Sequence, residues 1–264
     1  MDSRYDFGRN WSDLAARLDN HHLDEAKRNL ARLAGDVRGR NFLDLGCGSG
    51  LHSAAALALG ANSVVALDYD PVCVSTATAV LQKFAPNGNW KVSRADALDP
   101  KSLPEDMFDI VYSWGVLHHT GAMWAAIDNA ARLVKPGGEF CLALYLKTPF
   151  CNAWKAEKKI YARNKWLRPL VKWPYVLAFL TWKQIATRDA ASFVREYSKS
   201  RGMEFVIDVD DWLGGYPYES VSPTDLKTHL EQQGFALAEA FNTTAGRGIF
   251  GTGCGEWRFV RAAV

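Results

Sequence analysis

The feature that most constrains this chain is an apolar run that passes directly into three alternating glycines. The run Asn41-Phe-Leu-Asp-Leu45 is followed by Gly46, Gly48 and Gly50, and the small-residue stretch Ser53-Ala-Ala-Ala-Leu-Ala-Leu59 comes next. This order predicts a buried strand, a tight turn and a helix. Glycines let the backbone approach a bound molecule closely, and the helix offers it free N–H groups. The alternative is a turn that only connects the strand to the helix.

Predicted strands and helices alternate from residue 41 to 146, a pattern typical of a parallel sheet with helices on both faces. The predicted strands are Phe42–Leu45, Ser63–Asp68, Trp90–Ala95, Phe108–Ser113 and Glu139–Tyr145. Helices are predicted over Pro71–Phe84 and Met123–Val134, and Lys135-Pro-Gly-Gly138 predicts a break before the fifth strand.

Residues 1–40 predict a helical arm that precedes this core of residues 41–146. Asp13–Leu18 and Glu25–Leu33 show helical apolar spacing. The aromatic segment Tyr5–Trp11 stands before them without an obvious period. It either anchors the arm to the core or forms a flap over a pocket.

Residues 222–264 predict the completion of the sheet. Ser222–Gly234 predicts a capped helix with proline in its first turn and glycine at its end. Phe235–Phe241 and Glu256–Val260 predict two final strands, and five glycines lie in the loop 246–255 between them.

Residues 147–221 predict a cap of different composition. Ten Lys or Arg stand against the single Glu157 in residues 147–188, a net charge of +9, whereas the whole chain carries +2. Interleaved tryptophans and tyrosines are compatible with nucleic acid, an anionic substrate or a membrane surface. We favour a helical insertion whose apolar side packs inward and whose lysines face water. Asp208–Glu219 predicts a turn-rich segment dense in acids and aromatics.

The cysteines, the N-terminus and the length of the apolar runs indicate the cellular compartment in which the protein is expected. The five cysteines are odd in number and lack CxxC spacing, which favours reduced thiols in a cytoplasmic protein over a disulfide framework or a zinc site. The N-terminus has acids early and no apolar core segment, so no signal peptide is expected. The apolar run Trp173–Trp182 is too short to span a bilayer.

Two carboxylates accompany the glycine turn. A dinucleotide site would favour GxGxxG, but the spacing here is GxGxG, with Leu51 in the place of the last glycine. Asp68 ends the second predicted strand and can accept hydrogen bonds from a ribose diol. Asp96 ends the third and is placed to accept from an adenine amino group. Because burying charge without a partner is costly, these residues predict a nucleoside-binding rim at the carboxyl ends of the strands.

These segments resemble the successive motifs of class I S-adenosylmethionine-dependent methyltransferases. The matching segments, in family order over about residues 40–146, are Leu43–Gly50, Ala66–Asp68, Ala95–Ala97, Phe108–His119 and Leu133–Gly138. The likeness is greatest to the small-molecule branch, which includes the ubiquinone-biosynthesis-type O-methyltransferases. The resemblance implies an α/β, Rossmann-like, seven-stranded sheet whose last strand is antiparallel, with helices on both faces and a mainly helical cap.

The resemblance also implies a cofactor, S-adenosylmethionine, and residues that bind it. Gly46, Gly48 and Gly50 are expected to approach its methionine moiety, Asp68 to bind the ribose hydroxyls, and Asp96 with Ala97 to border the adenine. The predicted cofactor site further includes Asp44, Cys47, Tyr69, Ser113 and Trp114, with Tyr5 and Trp11 from the arm. Cys47 is interpreted as a small packing residue, not as a nucleophile.

Two adjacent histidines follow the fourth predicted strand. A sulfonium methyl is already electrophilic, so the protein mainly aligns the acceptor and excludes water. A base matters if the acceptor is a hydroxyl, and either His118 or His119 could take that proton. The alternative is a capping or positioning role. Two adjacent histidines do not make a metal site without nearby carboxylates, so no metal is predicted.

The acceptor is expected where several segments converge at the same rim. Tyr145 ends the fifth predicted strand, where the basic cap begins. The hypothesis is that the arm, the cap with Tyr216 and Tyr218, and the loop 246–255 enclose the acceptor. Tyr145 and Tyr216 are therefore candidate catalytic residues beside the histidines.

The sequence thus predicts methyl transfer from S-adenosylmethionine to an oxygen or nitrogen of a small molecule. One alternative is a non-methylating displacement with the same cofactor, such as cyclisation. Another is an RNA methyltransferase that uses the basic cap, disfavoured because Ser113–Val116 stands where an Asn/Asp-Pro-Pro-Tyr signature would lie. A third is a membrane-surface or scaffold protein with a vestigial nucleoside site. A homodimer is compatible with the sequence.

Overall fold

The computed structural model describes residue 15 and residues 17–201, 205–243 and 253–263. These residues form two compact units. The sheet unit comprises the described residues up to 151 together with residues 219–263, and the cap unit comprises the described residues of 152–218. Tyr5, Trp11 and most of the loop 246–255 lie outside the described residues, so the predictions made for them stay predictions.

The elements follow one another in the order that a sheet with an insertion requires. The chain begins with α1 (Asn20–Ala34), β1 (Asn41–Leu45), α2 (Leu51–Ala58), β2 (Ser63–Asp68), α3 (Pro71–Phe84), β3 (Trp90–Arg94), β4 (Phe108–Trp114), a 3-10 turn (Leu117–His119), α4 (Met123–Arg132) and β5 (Val134–Tyr145). It continues with α5 (Cys151–Arg163), a second 3-10 turn (Lys165–Leu167), α6 (Arg168–Thr187), α7 (Ala190–Arg201) and α8 (Phe205–Gly214), and it ends with α9 (Pro223–Glu231), β6 (Phe235–Phe241) and β7 (Cys254–Arg261).

The seven strands of the described residues form one mixed sheet in the order β3-β2-β1-β4-β5-β7-β6. Strands β1 to β5 pair in parallel, whereas β7 runs antiparallel to both β5 and β6. The predicted sheet, with its antiparallel last strand and its helical cap, is confirmed. Because parallel strands end at one edge, the segments after β1, β2, β3 and β4 meet at that edge.

Alternating residues of β1 belong to the two cores on either side of the sheet. Leu43 packs with Val111 and with residues of α4 and α9, whereas Phe42 packs with residues of α1 and α2. Both side chains are fully buried. A strand covered on both faces is the reason that this stretch of the sequence is continuously apolar.

The helix ends are set by short polar side chains that the sequence places there. Asp70 accepts a hydrogen bond from the backbone N–H of Val72 at 2.8 Å, with Pro71 in the first turn of α3. Ser222 accepts from the N–H of Asp225 at 3.1 Å at the start of α9. These caps satisfy N–H groups that have no partner within the helix.

The fifth strand begins earlier than the sequence predicts. The predicted helix Met123–Val134 ends at Arg132, and β5 runs from Val134 through the Pro-Gly-Gly segment. Val134 pairs with Phe108, and the register shifts before Glu139 pairs with Ile110. The irregularity absorbs the proline and glycines, which a regular ladder would not accommodate.

The prediction of a turn-rich segment over Asp208–Glu219 is wrong for its first half. Residues 205–214 form α8, because Phe205, Val209 and Leu213 recur every four residues and are at most 5% exposed. They pack with Tyr161 and Val176 inside the cap unit. The helix ends at the glycine pair 214–215, and only the residues after it are irregular.

Candidate active site

The glycine turn after β1 is tied to the end of β2 by backbone hydrogen bonds. The N–H groups of Gly46 and Cys47 both donate to the carbonyl of Leu67, at 2.7 and 3.0 Å. The N–H of Gly50 donates to the carbonyl of Cys47 at 2.8 Å. The turn therefore has one fixed conformation, and no side chain caps α2 where it leaves the turn.

Two of the three glycines are required by the protein's own packing. Gly46 and Gly50 have φ values of 85° and 76°. A Cβ on Gly46 would lie 2.4 Å from a methyl of Val116, and one on Gly50 would lie 2.8 Å from the Cβ of Ala77. The sequence attributed these glycines to a bound molecule, but the structure adds a steric reason internal to the fold.

Asp68 is hydrogen-bonded to the glycine turn and lies at the same edge of the sheet. Its Oδ2 accepts from the N–H of Gly48 at 2.9 Å, and its Oδ1 accepts from the N–H of Asp70 at 2.9 Å. Burial raises the pKa of this carboxyl against the effect of those hydrogen bonds. Each carboxylate oxygen has a second lone pair, so Asp68 keeps acceptor capacity for a further donor.

Asp44 lies beneath the turn and is the more deeply buried acid. It is 3% exposed, and its Oδ2 accepts from the hydroxyl of Ser53 at 2.6 Å. Burial raises the pKa of Asp44 to about 7, opposed by the Ser53 hydrogen bond. The contact joins β1 to α2, so the structure shows Asp44 supporting the turn, and its predicted contact with the cofactor stays a prediction.

Cys47 is a packing residue in the structure. It is 9% exposed and packs with Ala54, Ala66 and Ala77. Burial raises the pKa of its thiol well above the ordinary value. A neutral, enclosed thiol is a poor nucleophile, which agrees with the interpretation from the sequence.

The segment after β3 brings a half-buried acid to the same edge. Oδ1 of Asp96 accepts from the N–H of Leu98 at 2.9 Å. The carbonyl of Ala97 accepts from the side-chain amide of Asn129 at 2.9 Å, which ties this segment to α4. Asp96 and Ala97 thus sit in a short turn of defined shape.

Tyr69 presents an exposed ring after β2. Its side chain is 38% exposed, and the guanidinium of Arg94 lies 5.2 Å from the ring centre. Arg94 also donates to the Tyr69 carbonyl at 2.9 Å. The ring is therefore held at the surface beside the end of β3.

Ser113 and Trp114 end β4 with different roles. Ser113 is fully buried, and its hydroxyl donates to the carbonyl of Leu45 at 2.8 Å, which joins the ends of β1 and β4. Trp114 is half-exposed, and its indole N–H donates to Oε1 of Glu256 at 2.8 Å. The Trp114 ring is thereby fixed at the edge of the sheet.

Glu256 was not singled out from the sequence, although it organises this side of the site. It is 5% exposed on β7 and accepts from Arg32 at 2.6 Å and from Asn242 at 3.2 Å, besides Trp114. The only sequence signal was an acid at the start of a predicted strand. Such a signal does not show which distant residues the strand pairing brings to it.

Three of the four predicted catalytic residues meet at the carboxyl edge of the sheet. The ring centres of His118 and Tyr145 are 4.1 Å apart, those of the two histidines are 4.3 Å apart, and those of His119 and Tyr145 are 5.4 Å apart. His118 is fully buried, whereas His119 and Tyr145 are partly exposed. The fourth, Tyr216, belongs to the cap unit and is half-buried.

The chain that returns from the cap holds this cluster in place. The N–H of Glu219 donates to the His118 carbonyl at 3.0 Å, and its carboxylate accepts from the N–H of Met123 at 2.9 Å, which caps α4. The N–H of Val221 donates to the Tyr145 carbonyl, and the N–H of Lys147 donates to the Val221 carbonyl, each at 2.9 Å. Glu219 is a positioning residue that no sequence pattern identified.

Among the described residues there is neither a cluster of metal-binding side chains nor a helix able to cross a membrane. Across the part of the chain that the structure describes, no group of three or more His, Cys, Asp or Glu side chains is arranged to hold a metal ion. In the cap unit, the carboxylate of Asp210 accepts from Lys172 and Tyr161, each at 2.5 Å. No helix among the described residues has the length and apolar character needed to cross a membrane.

Comparison with known proteins places this site in a family. Residues 43–142 match a family model described as a methyltransferase domain. A tRNA U34 carboxymethyltransferase from Hahella chejuensis is 36% identical over 134 residues, which are 49% of this chain and 40% of that protein. A ubiquinone biosynthesis O-methyltransferase from Xanthomonas oryzae is 31% identical over 129 residues, which are 49% of this chain and 53% of that protein. The chain therefore spans about half the length of the curated relatives that it matches.

A solved structure shows the same fold over most of the chain. Magnesium protoporphyrin IX methyltransferase from Synechocystis PCC 6803, with bound S-adenosylhomocysteine, superposes with a TM-score of 0.55 over 92% of this chain and 84% of that one, at 19% identity. Fold, family model and sequence relatives agree with the order of the motifs at the edge of the sheet. The chain therefore contains a methyltransferase domain of the class I S-adenosylmethionine-dependent type, and S-adenosylmethionine is the cofactor of that domain.

Proposed function

We propose that the protein transfers the methyl group of S-adenosylmethionine to an oxygen or nitrogen of a small-molecule acceptor by in-line displacement. The observation that carries this proposal is the close group of His118, His119 and Tyr145 at the edge of the sheet. Of the three, the partly exposed His119 and Tyr145 can bind a small polar group, and His119 can deprotonate it.

The residues at the edge fit the cofactor in their chemistry. The glycines of the turn 46–50 present a surface without side chains at their own positions, and the uncapped start of α2 supplies backbone N–H donors. Asp68 keeps lone pairs for the ribose hydroxyls, and Asp96 follows the next strand of the sheet, where the adenine is expected. When bound, the cofactor supplies an electrophilic methyl on a sulfonium.

The protein's part in the reaction is alignment and proton removal. A bound cofactor would offer its methyl carbon to a lone pair of the acceptor oxygen or nitrogen, and the electron pair of the carbon–sulfur bond would stay on sulfur. For a hydroxyl acceptor, partly exposed His119 takes the proton. Buried His118 and Tyr145 pack against His119 and fix its orientation, and Glu219 holds the backbone of that turn.

The test uses cofactor with an isotopically labelled methyl group and two acceptor pools, a small-metabolite fraction and an RNA fraction. Labelled product in the metabolite fraction, with S-adenosylhomocysteine as the second product, supports the proposal. Methylthioadenosine as the second product would instead support a non-methylating displacement. Label confined to RNA would overturn the small-molecule assignment.

Variants then separate the catalytic group from the cofactor site. His119→Ala is expected to lower turnover of a hydroxyl acceptor by about a hundredfold while calorimetric binding of S-adenosylhomocysteine stays unchanged. Tyr145→Phe and Tyr216→Phe are expected to impair acceptor turnover more than cofactor binding. Unchanged acceptor kinetics in His119→Ala and both tyrosine variants would refute the proposed acceptor site.

A second candidate function is methyl transfer to RNA. It is favoured by the tRNA-modifying relative and by the basic residues 147–188. Phosphate neutralisation would make such binding strongly salt-dependent. The fully buried His118 and the close packing of the three rings favour the smaller acceptor, and the two-pool assay decides between them.

A further inference from the structure

Helix α6 in the cap unit is apolar on two opposite sides. Val176 is buried, and Val171, Tyr175, Phe179 and Leu180 pack with it against the other cap helices. On the other side, Leu170, Leu177 and Ile185 are 70%, 68% and 77% exposed. A surface helix ordinarily places polar residues on its outer side, so the outer apolar side of α6 is unusual.

The exposed residues share a face of the helix. Leu170, Trp173 and Leu177 recur at the i, i+3 and i+7 spacing of one helical face. Trp166, 94% exposed, precedes them by one turn. Ile185 is also exposed near the end of α6, whereas the exposed ring of Trp182 lies beside Phe179 on the inner side. Contiguous exposed apolar surface of this kind marks an interaction site more often than a solvated face.

Positive charge lies on the neighbouring helix. Lys155, Lys159 and Arg163 are exposed and recur every four residues, so they form one stripe along α5. Within the described ranges, no carboxylate forms an ion pair with any of the three. In contrast, Lys172 is half-buried and already paired with Asp210. The cap unit therefore combines unpaired surface cations with exposed leucines and tryptophans.

This combination selects one kind of partner. Nucleic acid is bound by cations and by rings that stack on bases, and the aliphatic side chains of Leu170, Leu177 and Ile185 can do neither. A second copy of this chain would bring an equally positive surface to the contact. An anionic bilayer offers both an acyl boundary for leucine and isoleucine and headgroups for lysine and arginine, and tryptophan favours that interface.

We propose that the outer face of α6, with the basic stripe of α5, is a docking surface for anionic lipid bilayers. Helix α6 lies in the plane of the interface with Leu170, Trp173 and Leu177 among the headgroups and first methylenes. Lys155, Lys159 and Arg163 contact lipid phosphates and supply the salt-sensitive part of the binding. The surface does not depend on which acceptor is methylated.

The test measures binding of the full chain to vesicles. We expect flotation with vesicles of phosphatidylcholine mixed with phosphatidylglycerol, a blue shift of tryptophan fluorescence, and weaker binding at high salt. Vesicles of phosphatidylcholine alone are expected to bind at least about tenfold more weakly. The double variant Leu170→Ser, Leu177→Ser removes two exposed side chains, so it is expected to fold and to lose about a hundredfold in binding.

The control variant is Met107→Ser, which removes an exposed apolar side chain from the sheet unit. It is expected to bind vesicles as the unmodified protein does. Equal vesicle binding by the Leu170→Ser, Leu177→Ser variant would overturn the proposal. So would a protein that binds no anionic vesicle but binds RNA, or one that forms dimers which that double variant dissociates.

Discussion

The sheet unit and the cap unit differ in the hydrogen bonds that their buried polar groups make. In the sheet unit Asp44 accepts from Ser53, the Ser113 hydroxyl reaches Leu45, and buried Glu256 has several donors. Among the described residues of the cap unit, the carboxylate of Glu157 is enclosed without a hydrogen-bond partner, and so is the indole N–H of Trp154. The buried acids of the sheet unit thus have donors and Glu157 has none among the described residues, although Nε of Arg258 in the sheet unit also lacks a hydrogen bond there.

Lys158 is another buried polar residue of the cap unit. It is fully buried in the cap unit, donates to the Trp212 carbonyl, and lies 3.8 Å from the centre of that ring. Burial lowers the pKa of Lys158 to about 7 and raises the pKa of Glu157 to about 7. The cap unit thus buries a carboxyl group without a hydrogen bond, which costs free energy, whereas Asp44 and Glu256 of the sheet unit have donors.

The largest expected effect tests the rigidity of the glycine turn. Gly46→Ala places a Cβ against Val116 at a left-handed backbone position, so it should lower the free energy of unfolding by about 3 kcal/mol and abolish binding of S-adenosylhomocysteine. The matched control is Gly39→Ala, at φ 70° with nothing within 4 Å, which should cost about 1 kcal/mol. Thermal unfolding and calorimetry measure both, and similar losses in the two variants would contradict the packing argument.

The next effect concerns the buried acid of β7. Glu256→Gln leaves Arg32 without its charge partner and should lower the unfolding free energy by about 2 kcal/mol. Asp36→Asn is the control, because the Asp36–Arg38 pair is exposed on both sides and should contribute nothing measurable. Denaturant unfolding compares them. Equal effects would mean that burial does not distinguish the sheet unit's ion pairs.

The pH dependence of stability should report Asp44. Because burial raises its pKa from 3.8 to about 7, the folded protein holds a proton between these values that the unfolded chain has released. The free energy of unfolding therefore falls as pH rises from about 4 to about 7. Asp44→Asn should remove about 2 kcal/mol of that fall. An unchanged slope in denaturant unfolding across this range would show that Asp44 is already ionised in the folded state.

Lys158→Met has the smallest expected effect, and it tests the contrast between the buried polar groups of the two units most directly. Burial lowers the pKa of Lys158 from 10.5 to about 7 in the folded protein. Between these pH values the unfolded chain holds one proton more than the folded protein, so the free energy of unfolding rises with pH. The variant should lose that rise and should be about 1 kcal/mol less stable at pH 7, because the buried Glu157 carboxyl loses its neighbouring charge and the Trp212 carbonyl loses its donor. Hydrogen exchange of amides in the cap helices measures it. A more stable cap would mean that burying the ammonium costs more than its contacts with Glu157 and Trp212 contribute.

The sequence predicted the cofactor side of the molecule well because its signals are local. Apolar runs that end in glycine or aspartate define β1, β2 and the turns after them, and the strand pairing follows from the alternation with helices. The boundary of β5 was missed because a bulge lets Pro136 and its neighbours lie in a strand. Helix α8 was missed because acids and glycines outweighed the four-residue spacing of Phe205, Val209 and Leu213.

The acceptor side was less predictable because its contacts join distant parts of the chain. Glu219 meets His118 and Met123 only after the whole cap has been traversed, and Trp114 meets Glu256 across three strands of the sheet. No spacing rule encodes such pairs. The exposure of Leu170 and Leu177 was likewise hidden, since an apolar residue on a helix is ordinarily assigned to the core.

The hydrogen bonds that join Lys147, Val221 and Tyr145 have a consequence for how this protein could change. They clamp the two points where the chain leaves and re-enters the sheet unit, so the intervening segment behaves as a closed loop whose ends are already adjacent. The entropy of closing such a loop grows only slowly with its length. A change in the length of the segment between the clamped points therefore costs little closing entropy, so the fold of the sheet unit sets only a weak limit on the size of the cap.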